Sequence, residues 1–252
     1  MGIYPIFSVE DWQAACDDIR EHSNTWSEQY GATVVNNTNF LVESYLDGEE
    51  YAIDAYFNEQ GETIILDILK HDFAGTEDVS DRLYYTSKVV VEDTMQAMKD
   101  FLIKSNELLD FKNFPVHVEV RVDEAGVVTP IEFNPCRFAG LCTTDLSYFA
   151  YGFKTYEMYL RNEQPNWDDV LADKAGKRYS MVMLSTDGTA LPDTYSFDYE
   201  AVQRKFSKVL ACRQLNAKQY NTFGVLFTEA SDEDWKAESD YILHSSLKEF
   251  LS

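Results

Sequence analysis

His117-Val118-Glu119-Val120-Arg121-Val122, followed after a short interval by Pro130-Ile131-Glu132-Phe133-Asn134-Pro135, is the stretch that decides how this chain is read. Val116, Val118, Val120 and Val122 alternate with His117, Glu119, Arg121 and Asp123. That period of two predicts a strand with one apolar and one polar face. Val127 to Phe133 predicts a second strand, with Ile131 and Phe133 on its apolar side, and Asp123-Glu124-Ala125-Gly126 supplies the turn. With Ala125-Gly126 at the tip, Glu119 falls opposite Glu132 and His117 opposite Asn134. Like charges placed directly opposite each other destabilise a sheet, and a divalent cation between them removes that penalty. Mg²⁺ takes oxygen ligands at roughly 2.0–2.1 Å, commonly one or two carboxylates plus phosphate oxygens. Pro135 stops the strand after Asn134, and chain leaving a strand end is where ligand-binding groups are commonly mounted. The competing reading of the same alternation is the solvated polar face of an edge hairpin.

Ile131-Glu132-Phe133-Asn134-Pro135 resembles the metal-binding "I-E-x-N-P" strand of the ATP-grasp superfamily, and Glu119 sits where that family's first metal carboxylate sits. Upstream, Phe40-Leu41-Val42-Glu43-Ser44-Tyr45-Leu46-Asp47-Gly48-Glu49-Glu50-Tyr51-Ala52-Ile53-Asp54 resembles the family's adenine-binding hinge and the strand after it. The two motifs stand in the family's order, and the resemblance covers roughly residues 1–160. It implies an α+β fold, an antiparallel sheet flanked by helices; the remaining residues read by their own pattern as a small C-terminal β-α-β-α module. It also implies ATP and Mg²⁺ as cofactors. Glu43 would accept from the adenine amino group, Tyr45 and Leu46 would offer backbone groups to the ring, and Glu50 would lie near the ribose. Glu119, Glu132 and Asn134 would hold Mg²⁺ against the β- and γ-phosphates. Carboxylate–amine ligases of the family carry an Arg after the Asn-Pro; here Cys136 takes that position and Arg137 follows one residue later, so Arg137 is assigned to the reacting acyl phosphate. Taken alone, the hinge stretch also suits an ordinary half-buried strand that ends at the Asp47-Gly48 turn. Lys70, closing the apolar run Thr63 to Leu69, is either a phosphate contact or solvated surface.

The 252 residues suffice for one large or two small domains, and 45% hydrophobic with 14% aromatic residues suffice for a packed core. A formal net charge of −23 argues against nucleic acid and anionic membranes, which both require a basic face. Cys16, Cys136, Cys142 and Cys212 show no CxxC spacing and no clustering with histidine, so free thiols in a reducing, cytoplasmic compartment are expected. The start carries no signal-peptide pattern, and no apolar stretch is long enough to span a bilayer. His22, His71, His117 and His244 lack metal-ligand spacing and read as structural or surface residues.

A helix is predicted from Ser8, as N-cap with Asp11 as its boxed acid, to about Glu21. Strands are predicted near 39–46, 51–58 and 62–70, a polar connection over 71–88, and a helix over 91–109 with Val91, Met95, Met98, Leu102 and Leu109 at helical spacing. After the hairpin come a helix near 146–161 and, past a boundary at 164/165 marked by Pro165-Asn166-Trp167, a module with strands at 179–184 and 223–228 and helices over 198–212 and 232–250. Two domains are therefore expected, 1–164 and 165–252. The family's N-terminal substrate domain, ATP-contacting Lys and Gly-rich loop have no counterpart in the sequence. The expected function is thus the C-terminal part of an ATP-dependent carboxylate–amine (or thiol) ligase acting through an acyl phosphate on small-molecule carboxylate and amine substrates. It would be a shortened chain, a mis-started gene, or one half of an enzyme completed by an N-terminal ligase half or a second copy. The alternative is a non-catalytic nucleotide-binding or protein-interaction module.

Overall fold

The structure, a computed structural model, describes residues 3–30, 39–76, 78–186, 189, 191, 194–217 and 221–251. The chain divides into two compact units, Met1–Leu46 and Asp47–Ser252.

The first unit carries helix α1, Val9–Tyr30. Ser8 Oγ accepts the Asp11 N–H at 3.0 Å, as the N-terminal signal predicts, while the Asp11 carboxylate accepts from Phe7 N–H rather than from Ser8. The helix runs past the expected end at Glu21 because no glycine or proline interrupts residues 9–30. Tyr4 Oη donates to Asp18 on this helix. Residues 39–46, expected as a strand, form none; Leu41 and Val42 are exposed and carry no ladder pairing among the described residues.

The second unit is built on one eight-stranded sheet: β1 (Glu49–Phe57), β2 (Thr63–Asp72), β3 (Leu83–Ser87), β4 (Phe114–Val122), β5 (Val128–Pro135), β6 (Lys177–Ser185), β7 (Val209–Gln214) and β8 (Thr222–Ser231). Their spatial order is β5-β4-β1-β2-β3-β6-β8-β7, and every neighbouring pair is antiparallel. Alternation along each strand gives the sheet two covered faces. On one, Ile53, Ile68, Val116, Val118 and Val120 pack with Met98 and Leu102 of α2 (Lys88–Leu109). Trp235 of α7 (Asp232–His244) borders the same cluster. On the other, Ala52, Leu69, Tyr84, Tyr179 and Phe227 pack with Leu146 and Ala150 of α3 (Asp145–Tyr151). The polar side chains of β4 therefore share the α3 face. No described helix is long and apolar enough to cross a membrane, and all four cysteines are free thiols.

The expected architecture, α+β with an antiparallel sheet flanked by helices, is present. Within the second unit, local readings differ in four places. The polar connection over 71–88 contains β3, whose Leu-Tyr-Tyr-Thr-Ser run is wholly buried; its hydroxyl-bearing residues lower the apolar signal. The helix expected over 198–212 is instead α6 (Tyr199–Gln203), capped by Asp198, followed by edge strand β7. The helix expected over 146–161 is broken at Gly152, which takes φ +83° as the C-cap of α3, before α4 (Thr155–Arg161). The helix expected to reach 250 stops at His244. A five-residue helix, α5 (Trp167–Leu171), follows the sequence boundary at 164/165. The sheet runs across that boundary through the β3–β6 pairing.

Gly48 precedes β1 at φ +110°, and a Cβ there would lie 2.3 Å from the Val122 carbonyl oxygen. The side chain would be strained by its backbone and driven into a strand that cannot withdraw. Gly48→Ala should lower unfolding stability by about 2–4 kcal/mol in urea titration; an unchanged midpoint would show that this β1–β4 approach is not fixed.

Candidate functional site

Register alone assembles a polar grid on the α3 face. On β4, Arg121, Glu119 and His117 stand opposite Glu50, Ala52 and Asp54 of β1. These in turn stand opposite His71, Leu69 and Asp67 of β2. On the outer side, Glu132 and Asn134 of β5 stand opposite Glu119 and His117. The hairpin pairing read from the sequence is therefore the pairing observed. One bulge interrupts it: Glu119 pairs with Glu132 but Val120 with Pro130. Ile131, expected on the apolar side, is thus the extra residue and is 41% exposed. Asp123 Oδ1 accepts the Ala125 and Val127 N–H groups and holds the turn.

The row through Glu50 is closed on itself. Arg121 and His71 meet the two Glu50 oxygens at 2.8 and 2.7 Å, and His71 Nε2 faces the Ser80 carbonyl at 3.1 Å. The His71 ring lies stacked on Tyr84, 4.1 Å between centroids.

The row through Asp54 is buried. His117 Nδ1 donates to Asp54 Oδ1 at 2.8 Å, and His117 Nε2 donates to Glu119 Oε1 at 3.2 Å. Burial opposes charge on this ring, but its hydrogen bonds to Asp54 and Glu119 outweigh burial and lift its pKa to about 9. The hydrogen bond from His117 holds the Glu119 carboxyl below its usual range against burial, and the nearby Arg137 charge adds to that. Asp67 receives Ser147 Oγ at 2.5 Å. Full burial, and then the Asp54 charge, push its pKa up to about 8. Asp54 Oδ2 and Asp67 Oδ1 are buried without hydrogen-bond partners. The two residues are opposed across β1 and β2, and a protonated Asp67 spares this stretch of the sheet a second buried charge. Asn134 Nδ2 is likewise buried and unpartnered.

Arg137 follows Cys136, which takes a left-handed φ of +63°. Cys136 N–H is bonded to Pro115 O at 3.0 Å and Ala139 N–H to Asp54 Oδ1 at 2.9 Å, so the Arg137 backbone is bracketed on both sides. The extra left-handed residue turns the chain, and the guanidinium one position late still acts on Glu119.

Glu119, Glu132, Asn134 and Glu50 thus share one face, and the Arg137 charge acts on Glu119 from the segment beyond β5. Lys70 does not share that face: it alternates to the opposite face, paired between Tyr51 and Tyr85 of the α2 cluster, and its ammonium is bonded to Glu49. Glu43, Tyr45 and Leu46 belong to the other compact unit, where Glu43 and Tyr45 are exposed and the Tyr45 ring meets Phe7 edge-on at 5.2 Å. Sequence reasoning assigned no site role to Asp54, Asp67, Arg121 and Ser147 and read His71 and His117 as structural or surface residues. His117 and Arg121 were within reach of it, since each stands two positions from Glu119. Among the described residues no group of three or more His, Cys, Asp and Glu side chains is arranged to hold a metal ion. The available donor set is two carboxylates and an amide.

A family model for the ATP-grasp domain matches residues 1–145. Among solved structures, an L-amino acid ligase from Bacillus licheniformis superposes at TM-score 0.59 with 17% identity, over 82% of this chain and 54% of that one. A biotin carboxylase in a β,γ-ATP complex from Campylobacter jejuni gives 0.57 with 12% identity, over 91% and 51%. A phosphoribosylaminoimidazole carboxylase ATPase subunit from Aquifex aeolicus gives 0.54 with 15% identity, over 92% and 73%. At these identities the likeness is one of fold. The chain spans about half the length of the first two. No protein of curated function matches the sequence.

The buried row sets a pH dependence. Asp67 keeps its proton in the folded state up to about pH 8 but loses it near 4 when unfolded. Its contribution to stability therefore falls as pH rises between those values. His117 contributes fully below about pH 6.5 and loses its contribution as pH rises through about 9. Thermal midpoints should fall from pH 6 to pH 9. Asp67→Asn, whose amide reproduces the protonated acid, should flatten the part below pH 8 and be the more stable form at pH 8. A variant weaker at every pH would show instead that Asp67 acts as an ionised partner.

Proposed function

The chain belongs to the ATP-grasp family, and on that premise we propose that it is the C-terminal part of an ATP-dependent carboxylate–amine or carboxylate–thiol ligase. In this reading Glu119, Glu132 and Asn134 hold Mg²⁺. The observation that carries it is the direct pairing of Glu119 with Glu132 beside an unpartnered buried Asn134 amide. Two facing carboxylates repel, and an oxygen-only donor set suits a hard divalent cation. Exchange of the Asn134 amide positions, which are assigned from hydrogen bonding, would present its oxygen from the buried site.

Bound there, Mg²⁺ would supply charge neutralisation and orientation of the phosphate chain. The chain's own residues do the rest. His117 fixes one Glu119 oxygen. Glu50, with both oxygens engaged, sets Arg121 and His71 as a rigid wall. Arg137 offers its guanidinium to the oxyanion that develops as a carboxylate takes the γ-phosphoryl group and an amine or thiol then displaces phosphate. The nature of the solved relatives supports an ATP-dependent ligase; the acid and the nucleophile are not specified by these residues.

Glu132→Gln should reduce Mg²⁺-dependent ATP affinity of this chain by tenfold or more in calorimetry. Stability without ligand should be unchanged or slightly raised, because a like-charge pair is removed. Equal affinity in the variant would take Glu132 out of the site.

A further inference from the structure

We propose that Asp54 and His117 are positioning residues that lock Glu119 and Arg137 into a single arrangement for a metal-bound nucleotide. This rests on the reading of Glu119 and Glu132 as cation ligands. Asp54 is 2% exposed, and its Oδ1 receives two donors that come from different parts of the chain. One is His117 Nδ1 on β4; the other is the Ala139 N–H, just beyond β5. His117, 5% exposed, passes the constraint on through Nε2 to Glu119 Oε1. Both ring nitrogens are thereby committed, so the ring can neither flip nor tilt without breaking a buried hydrogen bond. One Glu119 oxygen is occupied by the ring, which leaves Oε2 for a cation.

The same Asp54 oxygen acts on Arg137. The Ala139 bond to Asp54 and the Cys136 bond to Pro115 close the segment on either side of it. A shift of Asp54 would therefore displace the anionic and the cationic group together. Partners of this kind behind a metal ligand fix its orientation, and their loss typically lowers metal affinity about 10–100-fold. A purely structural network predicts something else: lost stability, with no preference between metal-bound and metal-free nucleotide.

The test uses this chain with Mn²⁺ and ATP, followed by the paramagnetic resonance of free Mn²⁺. Metal-free ATP affinity is measured by dialysis in EDTA, and amide exchange at Ala139 is followed alongside. His117→Asn keeps a donor for Asp54 but falls short of Glu119. It should lower Mn²⁺ affinity about tenfold or more, with metal-free ATP affinity within twofold and Ala139 exchange unchanged. Asp54→Asn should lower Mn²⁺ affinity and also speed Ala139 exchange, while Ile68 in β2 stays protected; it carries the test if His117→Asn fails to fold. Mn²⁺ affinity equal to that of the unaltered chain, or an equal loss of metal-free ATP affinity, overturns the proposal. Glu132→Gln separates the two levels. If it binds Mn²⁺ as the unaltered chain does, or if the unaltered chain binds none, the cation site itself is lost and the positioning role falls with it.

Discussion

Two carboxylates held face to face on paired strands are the constraint on which the rest of this site depends. The packing of the hairpin sets positions 119 and 132 opposite each other but does not require carboxylates there. The apolar side of β4 is complete without them, through Val116, Val118 and Val120 against α2. Repulsion between them opposes the register that the valines impose, and the sheet keeps that register because a one-residue slip would turn all three valines away from the core. The hydrophobic face thus enforces an electrostatically unfavourable polar face. The proposed cation would remove the repulsion that this face otherwise carries.

The second consequence is burial of charge beneath that pair. Asp54, Asp67 and His117 lie almost wholly within the protein, where an ionised group without partners is strongly disfavoured. Their arrangement resolves this in sequence. Ser147 donates to Asp67, burial keeps Asp67 protonated, and Asp54 balances the His117 imidazolium, which ends on Glu119. Only Glu119, at the solvent end of the row, retains an uncompensated negative charge. The bonded run from Asp54 through His117 thus holds the Glu119 carboxylate in a fixed orientation.

The hairpin was legible because its evidence is local: alternation, a turn and a terminal proline fix register by counting. The same counting put His117 beside Glu119 and opposite Asn134, but it could not supply Asp54, which arrives from more than sixty residues upstream through the β1–β4 pairing. Lys70 misled for a related reason. A lysine closing an apolar run looks poised for a ligand, and only the register of β2 against β1 and β3 assigns it to the α2 face. β3 and β7 were missed because short strands with tyrosine, threonine or a flanking helix carry little periodic signal. The left-handed turn at Cys136, which accommodates Arg137 one place late, has no sequence signature, since cysteine rarely adopts that conformation.

The charge of the whole chain bears on what that face can do. At −23, the protein's field opposes the approach of a nucleotide. Arg121, His71 and His117 cannot counter it, because each is already bonded to Glu50, Asp54 or Glu119. Arg137 differs: its guanidinium donates to the Phe138 carbonyl, its side of the chain is exposed, and its charge reaches Glu119 without a direct ion pair among the described residues. In the proposed reading, attraction of a polyphosphate to this face would fall to a bound divalent cation and to Arg137. Screening by salt would weaken the opposing long-range field more than those short contacts. The local arrangement of a few groups, rather than the sign of the whole surface, decides which anion the site admits.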